Sequence, residues 1–133
     1  EVFEPEKDYN IFTAEHNNKI VSSMLIFYHK NIIEYFCPAT KSGYRDKNPL
    51  SALIFTAMKH SILNKNSLYW NWGGTWVSQK GVYFFKKRWG TTDYPYKYYI
   101  KTFSNFKKKK YSASDLDKNY ENFYTLPYAL CKK

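Results

Sequence analysis

Three β-rich runs at the start of the chain leave few folds open. They are YNIFTAEH (9–16), KIVSSMLIFYHK (19–30) and NIIEYFCPA (31–39), split by Asn17-Asn18 and by His29-Lys30-Asn31. A two-residue hairpin turn needs positive φ at both central positions, which Asn tolerates better than most residues. The first two runs therefore pair as an antiparallel hairpin, and the second turn brings the third run back alongside. Ile20, Ser22, Met24 and Ile26 share one face by alternation. Pro38 ends the third strand, and Cys37 in that apolar run reads as a buried free thiol.

The period then changes. TKSGYRDKN (40–48) is a polar loop, Asn48 suits a helix cap, and Pro49 suits the first helical position. Leu50, Leu53, Ile54, Ala57 and Met58 follow helical spacing and predict a helix to about Leu63, stopped by Asn64-Lys65-Asn66. SLYWNW (67–72) reads as a strand. Ser78 caps a second helix with Val82, Phe85 and Trp89 on one face and Gly90 as its stop. YPYKYYIKTF (94–103) predicts another strand, with Tyr96, Tyr98 and Ile100 on one face. Ser114 can cap a short helix to about Tyr124, and LPYAL (126–130) is a closing strand or an extended tail. The order β-β-β-α-β-α-β describes an α+β chain with a mixed sheet. It reads as a single domain over residues 1–133, with its core at 9–103 and a tail at 104–133.

The net charge of +10 is unevenly spread. Residues 80–110 hold ten Lys/Arg against one acid, Asp93. Such a focus favours an anionic partner: phosphate groups, nucleic acid or an anionic membrane surface. The alternative is a solvated charged face, above all for Lys107–Lys110. Cys37 and Cys131 lie too far apart for a zinc or redox motif and fit a reducing compartment. No apolar run is long enough to span a bilayer, and EVFEPEKDY lacks a signal-peptide core. These features predict a cytoplasmic location, with peripheral contact at the inner membrane face. The first residue is not Met, which reads as a fragment or a processed chain.

Gly73-Gly74 stands between Trp72 and Trp76 at a strand end. Bare glycine backbone lets a ligand or another chain segment approach closely. The helix that follows points unpaired N–H groups at its surroundings, and Thr75 and Ser78 add hydroxyls. The plainer reading is a tight turn beside a tryptophan pair. In the loop before the first helix, Lys41 and Arg45 flank Ser42, Gly43 and Tyr44, and the two cations can hold phosphates beside the helix dipole. A Walker loop is excluded, because GxxxxGK[ST] does not occur. His16, His29 and His60 are scattered, and neither HExxH nor a triad signature is present, so each histidine reads as structural or surface. Glu34 is the one acid in an apolar strand. It is a base or it faces water, and alternation favours water.

W-N-W-G-G-T-W followed by G-V-Y-F-F-K-K-R-W-G resembles the GNAT-type N-acyltransferases, most of all their FemAB-like branch. In that branch a strand ends in a Gly-Gly-Thr-like turn and leads into a helix ending F-K-x-x-[FW]-G. The likeness is close over residues 69–90 and extends by order of elements over 9–103. It implies the C-terminal part of a GNAT-like domain: an antiparallel meander followed by α-β-α-β, without the strand and two helices that usually come first. It places Lys86 where ordinary GNAT enzymes carry the tyrosine that protonates the departing CoA thiolate. An ammonium there can stabilise developing negative charge or donate a proton. Tyr83, one turn earlier, is a reserve acid. Substrate would lie along Asn71, Trp72, Gly73, Gly74 and Thr75, with Lys87 and Arg88 adding positive charge. Lys41, Ser42, Gly43, Tyr44, Arg45 and Asn48 stand where the family binds the CoA pyrophosphate. The family's Q/R-x-x-G-x-G/A is replaced by a loop with one glycine, which leaves the donor open between acetyl-CoA and aminoacyl-tRNA. No other cofactor is implied.

The expected function is transfer of an acetyl or aminoacyl group from a thioester or ester to an amine on a sugar or cell-wall precursor. The acceptor would be an anionic small molecule or a carrier-linked one, and an exposed sheet edge would favour a homodimer. Two readings compete. One is a basic, aromatic-rich nucleic-acid-binding module, with the tyrosines and lysines of 94–103 stacking bases and tracking phosphates. The other is a non-catalytic structural half-domain.

Overall fold

A computed structural model of the chain describes residues 2–76, 79–101, 112–120 and 131. The chain divides into two compact units, Glu1–Gly74 and Thr75–Lys133. The first is a four-stranded sheet with one long helix. Strands β1 (Tyr9–His16), β2 (Lys19–His29) and β3 (Ile32–Thr40) form the expected antiparallel meander, and β4 (Tyr69–Asn71) adds parallel to β3. The sheet order is β1-β2-β3-β4, and helix α1 (Pro49–Lys65) crosses between β3 and β4. The mixed sheet bears out the α+β expectation.

Asn17 and Asn18 both take positive φ, 51° and 58°, as a twist-matched hairpin turn requires. α1 packs on one face of the sheet. Leu53, Ile54 and Ala57 meet a core of Met24, Ile26 and Ile33. Phe12, which pairs with Met24, sets its ring edge against His60, and the Lys65 ammonium lies over the Tyr28 ring. α1 runs two residues past its expected end. Asn66 then stops it in a left-handed conformation, with its N–H on the Ser61 carbonyl. The opposite face of the sheet carries Ile11, Leu25, Phe27 and Phe36, joined by Val2 and Phe3 from the N-terminus. Ile11, Phe3 and Phe36 there are largely exposed.

Two bulges correct the strand expectations. Ala14 pairs with Ser22 and Glu15 with Ile20, so Val21 is an extra residue on β2. Val21 and Ser22 are both buried, and Ile20 is exposed rather than sharing the buried face. On β3, Leu25 pairs with Phe36 and Ser23 with Ala39, so Cys37 and Pro38 together oppose Met24. Cys37 takes φ +43° at this bulge and its side chain is exposed, not buried. Pro38 does not end the strand, because a bulge accommodates a residue without an N–H. Beyond it, Ser22 Oγ donates to the Ala39 carbonyl at 2.8 Å and lies 2.9 Å from Thr40 Oγ1.

The second unit contains α2 (Lys80–Lys87) and α3 (Ala113–Asn119). α2 is shorter than expected. Gln79 takes the cap position, Ser78 lies outside the described residues, and Gly90 leaves the following turn at φ +76°. Residues 94–101 form no strand, while 102 and 103 lie outside the described residues. Tyr96 and Tyr98 lie ring to ring, 5.2 Å between centroids, as a period of two predicts. A strand also needs a neighbour's backbone ladder, and no described residue supplies one. α3 starts at a capping box: Ser112 Oγ accepts from the Asp115 N–H, and the Asp115 carboxylate accepts from the Ser112 N–H. Ser112, not Ser114, is therefore the cap, and the helix ends at Asn119 instead of near Tyr124. Tyr124, LPYAL and Lys107–Lys110 lie outside the described residues.

Candidate active site

In the first unit the sheet opens where β3 and β4 part. β4 follows β3 for three pairs only, from Ile32 with Tyr69 to Glu34 with Asn71. Gly73 then takes φ +66°, which turns the chain out of the strand, and its N–H donates to Asn71 Oδ1 at 3.0 Å. The other end of the Asn71 amide donates to Glu34 Oε1 at 2.8 Å. Tyr35, Trp70 and Trp72 brace the parting, with centroids 5.2 Å apart for Tyr35–Trp72 and 5.7 Å for Trp70–Trp72. Burial pushes the Tyr35 hydroxyl up to about 12, and the buried Trp70 indole N–H has no partner among the described residues. The structure thus joins Asn71, and through it Gly73, to Glu34, while Trp72 packs on Tyr35 and Trp70. Glu34 is half-buried and hydrogen-bonded on the face away from α1, where alternation alone favoured a carboxylate in water.

The loop between β3 and α1 holds the expected phosphate-binding residues. Lys41, Ser42, Gly43 and Arg45 are exposed, and Gly43 takes φ +84° in a turn closed by the Tyr44 N–H on the Lys41 carbonyl. Tyr44 packs edge-on against His16 at 5.8 Å. A short 3-10 turn, Arg45–Lys47, leads to Asn48. Asn48 occupies the cap position but does not cap with its side chain. Its backbone is left-handed, and its amide reaches instead to the Asp46 carbonyl at 3.4 Å. A capping side chain requires an extended backbone. The first turn of this 17-residue helix has neither a side-chain cap nor an acid. Its positive end, with Lys41 and Arg45, suits an anionic group.

In the second unit the expected catalytic residues lie on α2. Lys86 Nζ donates to Thr75 Oγ1 at 2.8 Å, and burial lowers the Lys86 pKa from its ordinary value. A lowered pKa makes an ammonium a better proton donor. Tyr83 faces differently. Its hydroxyl donates to Asp93 Oδ2 at 2.9 Å, and this hydrogen bond raises its pKa, which weakens it as an acid. Lys87 lies 3.4 Å from Asp93 Oδ1, donates to the Thr91 carbonyl at 3.0 Å and sits over the Tyr83 ring. Arg88 is exposed. Asp93 thus ties Tyr83 and Lys87 together. It stands out in the sequence as the lone acid among ten cations. Glu34 carries no comparable signal, because its partner comes from the register of a parallel pair 37 residues apart.

The sequence matches no protein-family model and no curated protein. Solved structures do match. An aminoglycoside acetyltransferase from an uncultured soil metagenomic sample superposes with a TM-score of 0.61 at 12% identity, over 74% of this chain and 68% of that one. A second such enzyme, solved with sisomicin, gives 0.58 at 15% identity with the same coverage. A ribosomal-protein-alanine N-acetyltransferase from Brucella melitensis biovar Abortus 2308 gives 0.57 at 10% identity, over 74% of this chain and 73% of that one. The chain has the GNAT-type fold. At these identities the likeness concerns the fold. Within the GNAT-type fold of this chain, the parting of β3 from β4 and the loop before α1 sit on the same sheet.

Proposed function

We propose that this chain is the acyl-transferring part of an N-acyltransferase of the FemAB-like branch. The observation that carries the proposal is a GNAT-type sheet whose one parallel strand pair parts at a glycine turn. An acyl donor laid in that opening meets backbone polar groups. The loop of Lys41–Arg45 and the start of α1 hold its phosphates when the donor is a CoA thioester, and an aminoacyl-tRNA donor would use the same cations. A neutral primary amine attacks the acyl carbon, a C–N bond forms, the C–S or C–O bond breaks, and the acylated nitrogen sheds one proton to solvent. The family resemblance of residues 69–90 gives the proton for the departing sulfur or oxygen to Lys86, which burial acidifies. Asn71, Trp72, Gly73, Gly74 and Thr75 line the path of substrate, and Lys87 and Arg88 attract an anionic acceptor. Two neighbours are aminoglycoside enzymes by name, which supports an amino sugar as acceptor, free or on a diphosphate carrier. Among the described residues no helix is long and apolar enough to cross a membrane, so a lipid-linked acceptor would be met at the membrane surface.

The test is thiol release from acetyl-CoA, and aminoacyl release from aminoacyl-tRNA, with amino-sugar nucleotides and cell-wall peptides as acceptors. Turnover with one donor is expected, falling about 10²-fold in Lys86→Ala. Neither binding nor turnover with any donor would overturn the proposal. One observation favours a second reading: Tyr94, Tyr96 and Tyr99 are exposed beside Lys97 and Lys101, a composition suited to stacking single-stranded nucleic acid.

A further inference from the structure

We propose that Glu34 is a positioning residue: through Asn71 it fixes the Gly73 backbone at the point where β3 and β4 part. The proposal rests on the acyltransferase reading and adds a residue which that reading does not use. Glu34 and Asn71 form the last pair of the parallel ladder. Among the described residues the ladder ends with this pair, and its side chains add a hydrogen bond of 2.8 Å between the two strands.

The direction of that bond matters. Carboxylate oxygens accept, so Asn71 must turn its NH₂ toward Glu34. The amide oxygen is then left facing the Gly73 N–H, 3.0 Å away. The reverse orientation would set oxygen against oxygen and N–H against N–H, losing both bonds. Glu34 thereby selects one of two amide orientations, and that orientation holds the turn. Gly73 shows what the turn is for. A Cβ there would meet nothing within 4 Å, so packing does not demand glycine, whereas φ +66° does. The sequence thus commits to a backbone conformation at the point where the strands part. Misplacing such backbone weakens binding of what lies against it.

Glu34 as a general base is the competing role, and Glu34→Gln separates the two. Glutamine keeps an acceptor for Asn71 but cannot take a proton. Four proteins are compared with wild type: Glu34→Gln, Glu34→Ala, Asn71→Ala and the double alanine variant, each checked for cooperative thermal unfolding. The readouts are the hydrogen-exchange rate of the Gly73 amide by NMR, and KM and kcat for acetyl-CoA. Exchange is expected to stay near wild type in Glu34→Gln and to rise in both single alanine variants, with the double no faster than Asn71→Ala. KM should rise about tenfold in Glu34→Ala with kcat within about threefold, and Glu34→Gln should restore wild-type values. Unchanged Gly73 exchange in Glu34→Ala overturns the proposal, as does a kcat in Glu34→Gln as low as in Glu34→Ala. Should wild type show no turnover, the acyltransferase reading fails, and amide exchange alone decides whether Glu34 holds the turn.

Discussion

Lys86 carries the sharpest expectation for pH dependence. The family resemblance assigns it the leaving-group proton, and burial lowers its pKa below the ordinary lysine value of 10.5. A donor must be protonated, so activity falls as pH rises through that lowered value. The alkaline limb of the rate profile should therefore lie below 10.5, and Lys86→Arg should move it upward or abolish it. Stability responds in the opposite sense. A folded-state pKa below the unfolded one means that the unfolded chain holds the proton more tightly. This penalty is present in full below the folded pKa and is relieved as pH rises toward the unfolded value. Lys86→Met should therefore lower kcat about 10²-fold without lowering Tm at neutral pH, as thermal scans and rate assays on the same samples would show. Tyr83 shows the limit of reading chemistry from spacing. Its position one turn from Lys86 suggested a second acid, but its hydroxyl donates a hydrogen bond to the Asp93 carboxylate, which holds the proton on Tyr83 and raises its pKa.

At the scale of elements, the meander was legible because its signals are local. β-rich alternation and an Asn-Asn turn need no knowledge of distant residues. α1 was legible for the same reason, from Leu50 to Met58. The bulges were not legible, because a bulge is a mismatch between two strands and neither strand records it alone. Residues 94–101 failed in another way: alternation gives the side chains their faces, but a strand also requires a partner's N–H and C=O groups. The glycine turn was visible as Gly73-Gly74, while its tie to Glu34 depends on parallel register. The β3 bulge yields a sharp expectation. Cys37 at φ +43° is strained for any side chain, most of all a β-branched one. Cys37→Gly should stabilise the protein by about 1 kcal/mol, and Cys37→Val should destabilise it by about 1–2 kcal/mol, measured by urea denaturation.

Across the molecule the charge is divided as sharply as the chain. Glu1–Gly74 carries eight Lys/Arg against seven Asp/Glu, and Thr75–Lys133 carries thirteen against four. An anion would be attracted chiefly by the second unit, and attraction over such distances is screened by salt. Raising salt from about 50 to 200 mM should lift the KM for a diphosphate-bearing acceptor only a few-fold, because few cations meet it. Affinity for a long oligonucleotide making many phosphate contacts would instead drop by about 10³ or more. A titration of both against salt separates the transferase from the nucleic-acid reading.

The Cys37–Pro38 bulge also bears on how this strand can vary in length. Deleting Pro38 would restore a one-to-one match with Met24 and leave Ala39 and Thr40 opposite Ser23 and Ser22. A lost codon there would be absorbed within a single step of the pleat. The same deletion at Ile33 would turn the strand's inward side chains outward.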